Sequence, residues 1–167
     1  NFGAKLTVNS TGTAGTAGIL NVAVPSIPTG TTLQVDSAIV NVSGTGNGGG
    51  DVVVNGGLLH VLGTSTGINT GVITVNGGTA RVTGSVATST GVTVNNTGTF
   101  EANSTQPVKN LTVNDGQARI TTGVLKILTV GDNTSAGPLT ISGGGKLDLN
   151  SNALVIDSNS IDASNTG

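Results

Sequence analysis

The amino-acid sequence predicts an all-β protein folded as a single right-handed parallel β-helix, or β-solenoid. Two observations lead to this prediction. A short phrase of alternating apolar and polar residues recurs along the chain, and a glycine-rich turn follows most of its copies. A repeat of nearly fixed length, about twenty residues, is typical of structural units that stack on one another.

The repeated phrase sets the expected size of one rung, meaning one turn of the coil. Its best copies, Leu-Thr-Val-Asn and close variants, lie at 6–9, 73–76, 92–95 and 111–114, and looser copies lie at 33–36, 52–55 and 139–142. The central copies are 19 to 21 residues apart, whereas the first and last steps are 27 and 28 residues. We therefore expect 19–21 residues per rung and seven to eight rungs. The extra length predicts irregular loops within 10–18 or 23–31, and within 121–138.

Strict alternation within each copy indicates which side chains face the core. The two apolar residues of 73–76 point inward, and a Gly77-Gly78 turn, where a positive φ is expected, leads to a second strand at 79–82. When the second strands are stacked, Phe100 falls between two alanines, as expected if neighbouring rungs share one core volume. The complete inward column is Leu20, Val40, Leu59, Ala80, Phe100, Ala118 and Leu147.

The outward positions of the same strands form a column in which charge alternates. It consists of Asn21, Asn41, His60, Arg81, Glu101, Arg119 and Asp148. Stacked strands lie about 4.8 Å apart, so opposite charges in successive rungs are within reach of each other. We expect solvent-exposed ion pairs from Arg81 onward, with Asp148 continuing the line.

Two further features complete the predicted rung. A third, weaker strand is expected in the rest of each rung, for example at 86–88 and 124–127. The asparagines at 9, 55, 76, 95 and 114 align at one corner of the stack. Two interpretations of them stay open: an internal asparagine ladder that satisfies amides and turn carbonyls, or asparagine as a favoured turn residue before glycine.

Composition limits the possible functions. The chain has 167 residues, enough for one domain with a core, and its net charge is −2 with only 8% charged residues. A nucleic-acid partner would need a face rich in Lys and Arg, which this composition does not provide. No apolar run is long enough to predict a membrane-spanning helix, and no export leader is visible at Asn1.

We expect the solenoid domain to span 1–157 and a polar tail or linker to span 158–167. Neither end has the sequence pattern of a capping helix, although solenoids need their open strand edges covered. The apolar run 153–156 suggests a strand near the C-terminal end. The expected partners are a second copy stacked head to tail, or flanking repeats of a longer chain.

The chain resembles the β-solenoid repeats of bacterial surface proteins, of the filamentous-haemagglutinin and autotransporter-passenger types, including autotransporter-associated strand repeats. The residues that carry this resemblance are the Leu-Thr-Val-Asn phrases, the Gly-Gly-Gly-Lys-Leu-Asp-Leu turn at 143–149, and the segment 147–157. The resemblance covers most of 5–157. It implies a β-solenoid of an extracellular or cell-surface protein and implies no specific activity.

Candidate chemistry is sparse. The eight acidic residues are spread about one per rung, and there is no Tyr or Trp to stack on a sugar, so we expect no enzyme. His60, the only histidine, is interpreted as one more exposed ladder residue. The Asp132-Asn133 turn and the oxygen-rich region 148–162 raise calcium binding, but turn formation is the preferred interpretation. The threonine column at 7, 74, 93, 112 and 140 raises ice binding, yet the second threonine column is missing.

The sequence thus predicts no catalytic, cofactor-binding or metal site. The expected function is structural: a secreted or cell-surface rod, or the subunit of a self-assembling extracellular filament or matrix. The alternative is an adhesin-type binding module that recognises a glycan or a cell surface through irregular loops near 10–30 and 121–138.

Overall fold

The protein is an all-β, parallel β-solenoid of about five turns. The computed structural model describes residues 5–9, 18–23, 27–44, 48–63, 71–133 and 138–158, and no helix occurs within these ranges. The strands are β1 (Lys5–Val8), β2 (Ile19–Val22), β3 (Thr32–Val35), β4 (Ile39–Val42), β5 (Asp51–Val54), β6 (Leu58–Val61), β7 (Val72–Val75), β8 (Thr79–Val82), β9 (Gly91–Asn95), β10 (Thr99–Ala102), β11 (Gln106–Val108), β12 (Asn110–Asn114), β13 (Gln117–Ile120), β14 (Ile127–Gly131), β15 (Leu139–Ser142), β16 (Lys146–Asp148) and β17 (Ala153–Asp157).

Three parallel sheets form the sides of the coil. The first has the order β1-β3-β5-β7-β9-β12-β15, and the second has the order β2-β4-β6-β8-β10-β13-β16. The third contains β11-β14-β17. We call the successive first-sheet and second-sheet strand pairs levels 1 to 7, from β1/β2 at level 1 to β15/β16 at level 7.

The two long sheets therefore have seven levels, the lower value expected from the repeat. Fewer turns are closed on all three sides, because the third sheet has three strands among the described residues. The whole stack amounts to about five turns of solenoid, fewer than the seven to eight rungs expected.

The predicted core register is confirmed. Phe100 pairs with Ala80 on one side and Ala118 on the other, and its side chain is 1% exposed. The inward column of the first sheet is equally regular, since the apolar phrase positions pair with one another from Leu6 to Leu139. At the two terminal levels the inward side chains are only partly covered; these include Leu6, Val8, Leu20, Leu139 and Leu147.

The glycine turns let successive levels approach closely. Gly78 has φ 69°, in the left-handed region that glycine adopts without strain. A Cβ atom built on Gly78 would lie 2.5 Å from the carbonyl oxygen of Gly57 in the level before. Glycine is thus required here for two reasons, its backbone conformation and the contact between levels.

The third side departs from the prediction. Val86 is buried but forms no continuous strand, and the strand expected at 124–127 is wrong because β14 begins only at Ile127. The side chain of Gln106, the buried first residue of β11, satisfies backbone groups of the level before. Its Nε2 donates to the Gly84 carbonyl at 2.7 Å, and its Oε1 accepts from the Val86 N–H at 3.1 Å. The apolar run 153–156 lies in β17, as expected.

Candidate functional site

The outward column of the second sheet contains a charged triad. Arg81 Nε donates to Glu101 Oε1 at 2.7 Å, and Arg119 donates to Oε2 through Nε and Nη2. The three residues lie in register at levels 4, 5 and 6, which confirms the predicted alignment. The expectation that the pairs are fully exposed is wrong, because Glu101 is only 4% exposed beneath the two arginine side chains.

The charges of the triad shift the pKa of Glu101 itself and of the nearby His60. Burial acts to raise the pKa of the Glu101 carboxyl, but the hydrogen bonds and positive charges of Arg119 and Arg81 outweigh burial and hold the pKa below its ordinary value. Burial, followed by the charge of Arg81, lowers the pKa of His60, while Glu101 opposes these effects. His60 Nε2 lies 2.9 Å from Thr83 Oγ1, so His60 is a hydrogen-bonded member of the outer face.

Asp148 continues the column but not the ion pairing. It lies in register with Arg119, yet the described residues contain no ion pair between them. Asp148 Oδ1 instead accepts the N–H of Asn150 at 2.9 Å, across a tight turn. The carboxylate at level 7 therefore keeps acceptor capacity on the outer face of the last level.

The asparagines form a ladder, which settles one of the two open interpretations. Asn55 Nδ2 donates to Asp36 Oδ1 at 2.8 Å, Asn76 donates to Asn55 at 2.9 Å, and Asn95 donates to Asn76 at 3.0 Å. The ladder lies on the surface rather than inside, because these side chains are partly or fully exposed. The expected ladder is therefore confirmed as a hydrogen-bonded array, but its internal position is wrong.

The ladder is interrupted at two places. Asp36 accepts from Asn55 and, at 2.7 and 2.8 Å, from Gln34 Nε2. Because a carboxylate has no hydrogen to donate to level 1, the ladder stops at level 2. Asn114 is in register with Asn95, but its side-chain oxygen accepts from Ser142 Oγ at 3.2 Å at the next level. A shorter ladder on the second sheet joins Asn41 Nδ2 to Asn21 Oδ1 at 2.8 Å.

The threonine column is continuous over four levels. Thr74, Thr93, Thr112 and Thr140 pair in register, whereas Gln34 and Val53 occupy the same column at levels 2 and 3. The neighbouring outward column is the mixed amide ladder. This face therefore presents one short line of hydroxyl groups beside a line of amides.

Candidate ligand-binding features are few. Among the described residues, no group of three or more His, Cys, Asp or Glu side chains is arranged to hold a metal ion. A shallow recess of about 340 Å³ lies at the turn of level 6, between the longer turns of levels 5 and 7. Its rim includes Asn96, Thr97 and Lys146, and Asp115 Oδ1 at its floor accepts the Gly144 N–H at 2.6 Å. The region beyond Ser158, including Asp162, lies outside the described residues.

An irregular loop, 121–126, lies before β14, within the region 121–138 where a loop was expected, although part of it was predicted as a strand. Lys126 Nζ donates to the carbonyl oxygens of Thr121, Thr122 and Val124 at 3.0 to 3.1 Å, which ties the loop 121–126 to itself. The loop holds Val124 and Leu125 in solvent, 85% and 66% exposed. The unusual length of 121–138 in the repeat pattern was the only sequence signal for this feature.

Comparison with known proteins gives no assignment: no family model, no curated protein and no solved structure matches the chain. The resemblance to filamentous-haemagglutinin and autotransporter repeats therefore stays a hypothesis, while the β-solenoid architecture itself is established by the strand pairing. Within the described ranges, no helix is long and apolar enough to cross a membrane.

Proposed function

We propose that this chain is a structural β-solenoid of an extracellular or cell-surface protein, serving as a rod, or as the subunit of a filament or matrix. The observation that carries the proposal is the continuity of its columns. Two sheets run through seven parallel levels without a break, and one continuous cluster of buried apolar side chains lies between them. Such a stack resists bending and stretching, because each level hydrogen-bonds to the next along the axis.

The outer faces support the same proposal. Their polar side chains are largely used to bind the neighbouring level, as in the Arg81–Glu101–Arg119 triad and the Asn55–Asn76–Asn95 ladder. Side chains that hold successive levels together contribute to the length and stiffness of the rod. The bacterial surface-repeat resemblance adds the expected location, outside the cell.

The experiment is to locate the chain and image it in place. Antibody labelling of intact cells, followed by electron microscopy, should place the protein outside the cell in extended, unbranched structures of constant width. Labelling only after cell lysis would overturn the proposed location, and labelling of isolated compact particles would overturn the proposed rod.

The alternative is a binding module, and one observation favours it. Lys126 ties the loop 121–126 to itself, and the loop exposes two neighbouring apolar side chains, Val124 and Leu125, to solvent. Adjacent exposed apolar side chains are typical of surfaces that another molecule covers. In this alternative the loop recognises a glycan or cell surface. Replacing both apolar residues by Ser should abolish cell adhesion in a binding module and leave it unchanged in a rod, with Thr122→Ser, at another exposed position of the loop, as the matched control.

A further inference from the structure

We propose that the two ends of the solenoid bind each other, so that level 7 of one copy stacks on level 1 of the next in the internal register. This inference rests on the proposed structural function and specifies the partner as a second copy of the same chain. Both long sheets end at strands without a further neighbour among the described residues: β1 and β2 at level 1, and β15 and β16 at level 7.

Apolar side chains of the core column are exposed at both ends of the solenoid. At level 7, inward-facing Ile141 on β15 is 47% exposed, and Ile156 on the neighbouring β17 is 51% exposed. At level 1, the inward residues Leu6 and Val8 are also incompletely covered, whereas the same positions at levels 2 to 6 are buried. These side chains point into the core column, so another level of the same kind would cover them.

The two ends also match each other position by position. The internal pairing sequence would continue with Leu139 against Leu6, Ile141 against Val8, and Leu147 against Leu20, in the same columns that run through the chain. The contact is therefore an extension of the interface that already joins levels 1 to 7. It is heterologous, since different surfaces meet, and it propagates along the axis.

The hydrogen bonds of the polar ladders all run in one direction along the stack. In every amide or hydroxyl ladder bond described above, the later level donates and the earlier level accepts: 41 to 21, 55 to 36, 76 to 55, 95 to 76 and 142 to 114. On the first sheet Asp36 forces this direction, because a carboxylate only accepts and each Asn above it must then donate downward.

With the same direction of donation, level 1 offers a hydrogen-bond donor and level 7 offers an acceptor. Asn21 at level 1 uses its Oδ1 to accept from Asn41, which leaves its Nδ2 without an acceptor among the described residues. The preceding level in a head-to-tail stack is level 7 of another copy, where the same column holds Asp148, an exposed carboxylate. Donation from Asn21 to Asp148 would continue the ladder across the junction in the same direction.

The test uses two variants that each block one end. Ile141→Asp places a charge in the core column at level 7, and Val8→Asp does so at level 1. The matched controls, Thr140→Asp and Thr7→Asp, place the same charge on the outward side of the same strands. Sedimentation velocity over a range of concentrations reports the association, and far-ultraviolet circular dichroism confirms that each variant keeps its β-structure.

The expected result is specific to head-to-tail stacking. The unmodified chain and both controls should form species whose mass rises with concentration, and each blocked variant should be monomeric alone. A mixture of the two blocked variants should form a one-to-one dimer and nothing larger, because one intact level 1 still meets one intact level 7. A mixture that stays monomeric, or blocked variants that associate like the unmodified chain, would overturn the proposal.

If a core variant fails to fold, the surface residues Asn21 and Asp148 provide a second test of the junction. Asp148→Lys should weaken association about tenfold through loss of one charged acceptor, and a copy carrying Asn21→Asp should restore binding to it. No effect of either change would refute the polar junction. If the unmodified chain is monomeric at every concentration in sedimentation, the head-to-tail interface is refuted, but the proposed structural function is not. If antibodies label the protein only after cell lysis, the proposed function is refuted, but the interface is not.

Discussion

Replacement of Phe100 by alanine tests the shared core volume at the centre of the solenoid. Phe100 is the largest fully buried side chain, and its neighbours in the column, Ala80 and Ala118, have no atoms beyond Cβ that could move into the space. Phe→Ala substitutions in cores cost about 3–5 kcal/mol, and the cost rises with the cavity that remains. Since these neighbours cannot collapse into the space, we expect a loss in the upper part of that range.

Equilibrium unfolding in urea, followed by circular dichroism, measures this loss. Thr99→Ala on the same strand is the control, and it should change the free energy of unfolding by no more than about 0.5 kcal/mol. Combining Phe100→Ala with Ala118→Phe, which moves the aromatic ring one level along the column, should recover part of the stability. A loss below about 1 kcal/mol for Phe100→Ala, or a neutral Ala118→Leu in the otherwise unmodified chain, would refute the shared volume.

Three further changes test the outer ladders and the turns. Because the fold lowers the pKa of Glu101, the ionised carboxylate should stabilise the fold fully above its unfolded pKa of about 4.3. This stabilisation should be lost as the pH falls through the pKa of Glu101 in the folded protein. Glu101→Gln should therefore make the free energy of unfolding less dependent on pH in acid unfolding curves. Asn76→Ala removes two ladder bonds and should lower the unfolding free energy by about 1–2 kcal/mol in urea, whereas an unchanged midpoint would mean that water replaces them. Gly78→Ala should cost about 1–2 kcal/mol for its left-handed φ, and more because the new Cβ would crowd the carbonyl oxygen of Gly57. Neither constraint applies to Gly144, so Gly144→Ala should be nearly neutral. Thermal melting compares the two variants. Equal melting temperatures for these two glycine variants would contradict the assigned turn geometry.

The parts of the fold that repeat were predictable from sequence. The phrase recurs with a spacing that admits one register, so the pairing of Phe100 with Ala80 and Ala118, and of Glu101 with Arg81 and Arg119, followed directly. A slip by one residue would turn every apolar side chain outward, so alternation excluded the nearest registers and the recurring phrase selected among the rest.

The parts that do not repeat were not predictable. The burial of Glu101 depends on how two arginine side chains fold over it, and the sequence gives only their order in the column. The third side has no common phrase, so the strand expected at 124–127 was misplaced and the role of Lys126 in shaping the loop was missed. Likewise, the bonds from Gln34 to Asp36 lie within one level, and the spacing of the repeat does not encode them.

The central claim is that the chain is a structural rod built from a stack of parallel levels. Electron microscopy of the assembly in which the chain naturally occurs tests this claim most directly. The account predicts a continuous unbranched rod, in which the spacing of about 4.8 Å between strands persists across the junction between level 7 of one copy and level 1 of the next. A particle in which the rod axis ends at level 7, with the loop 121–126 seated against a different molecule, would contradict the structural account and favour a binding module.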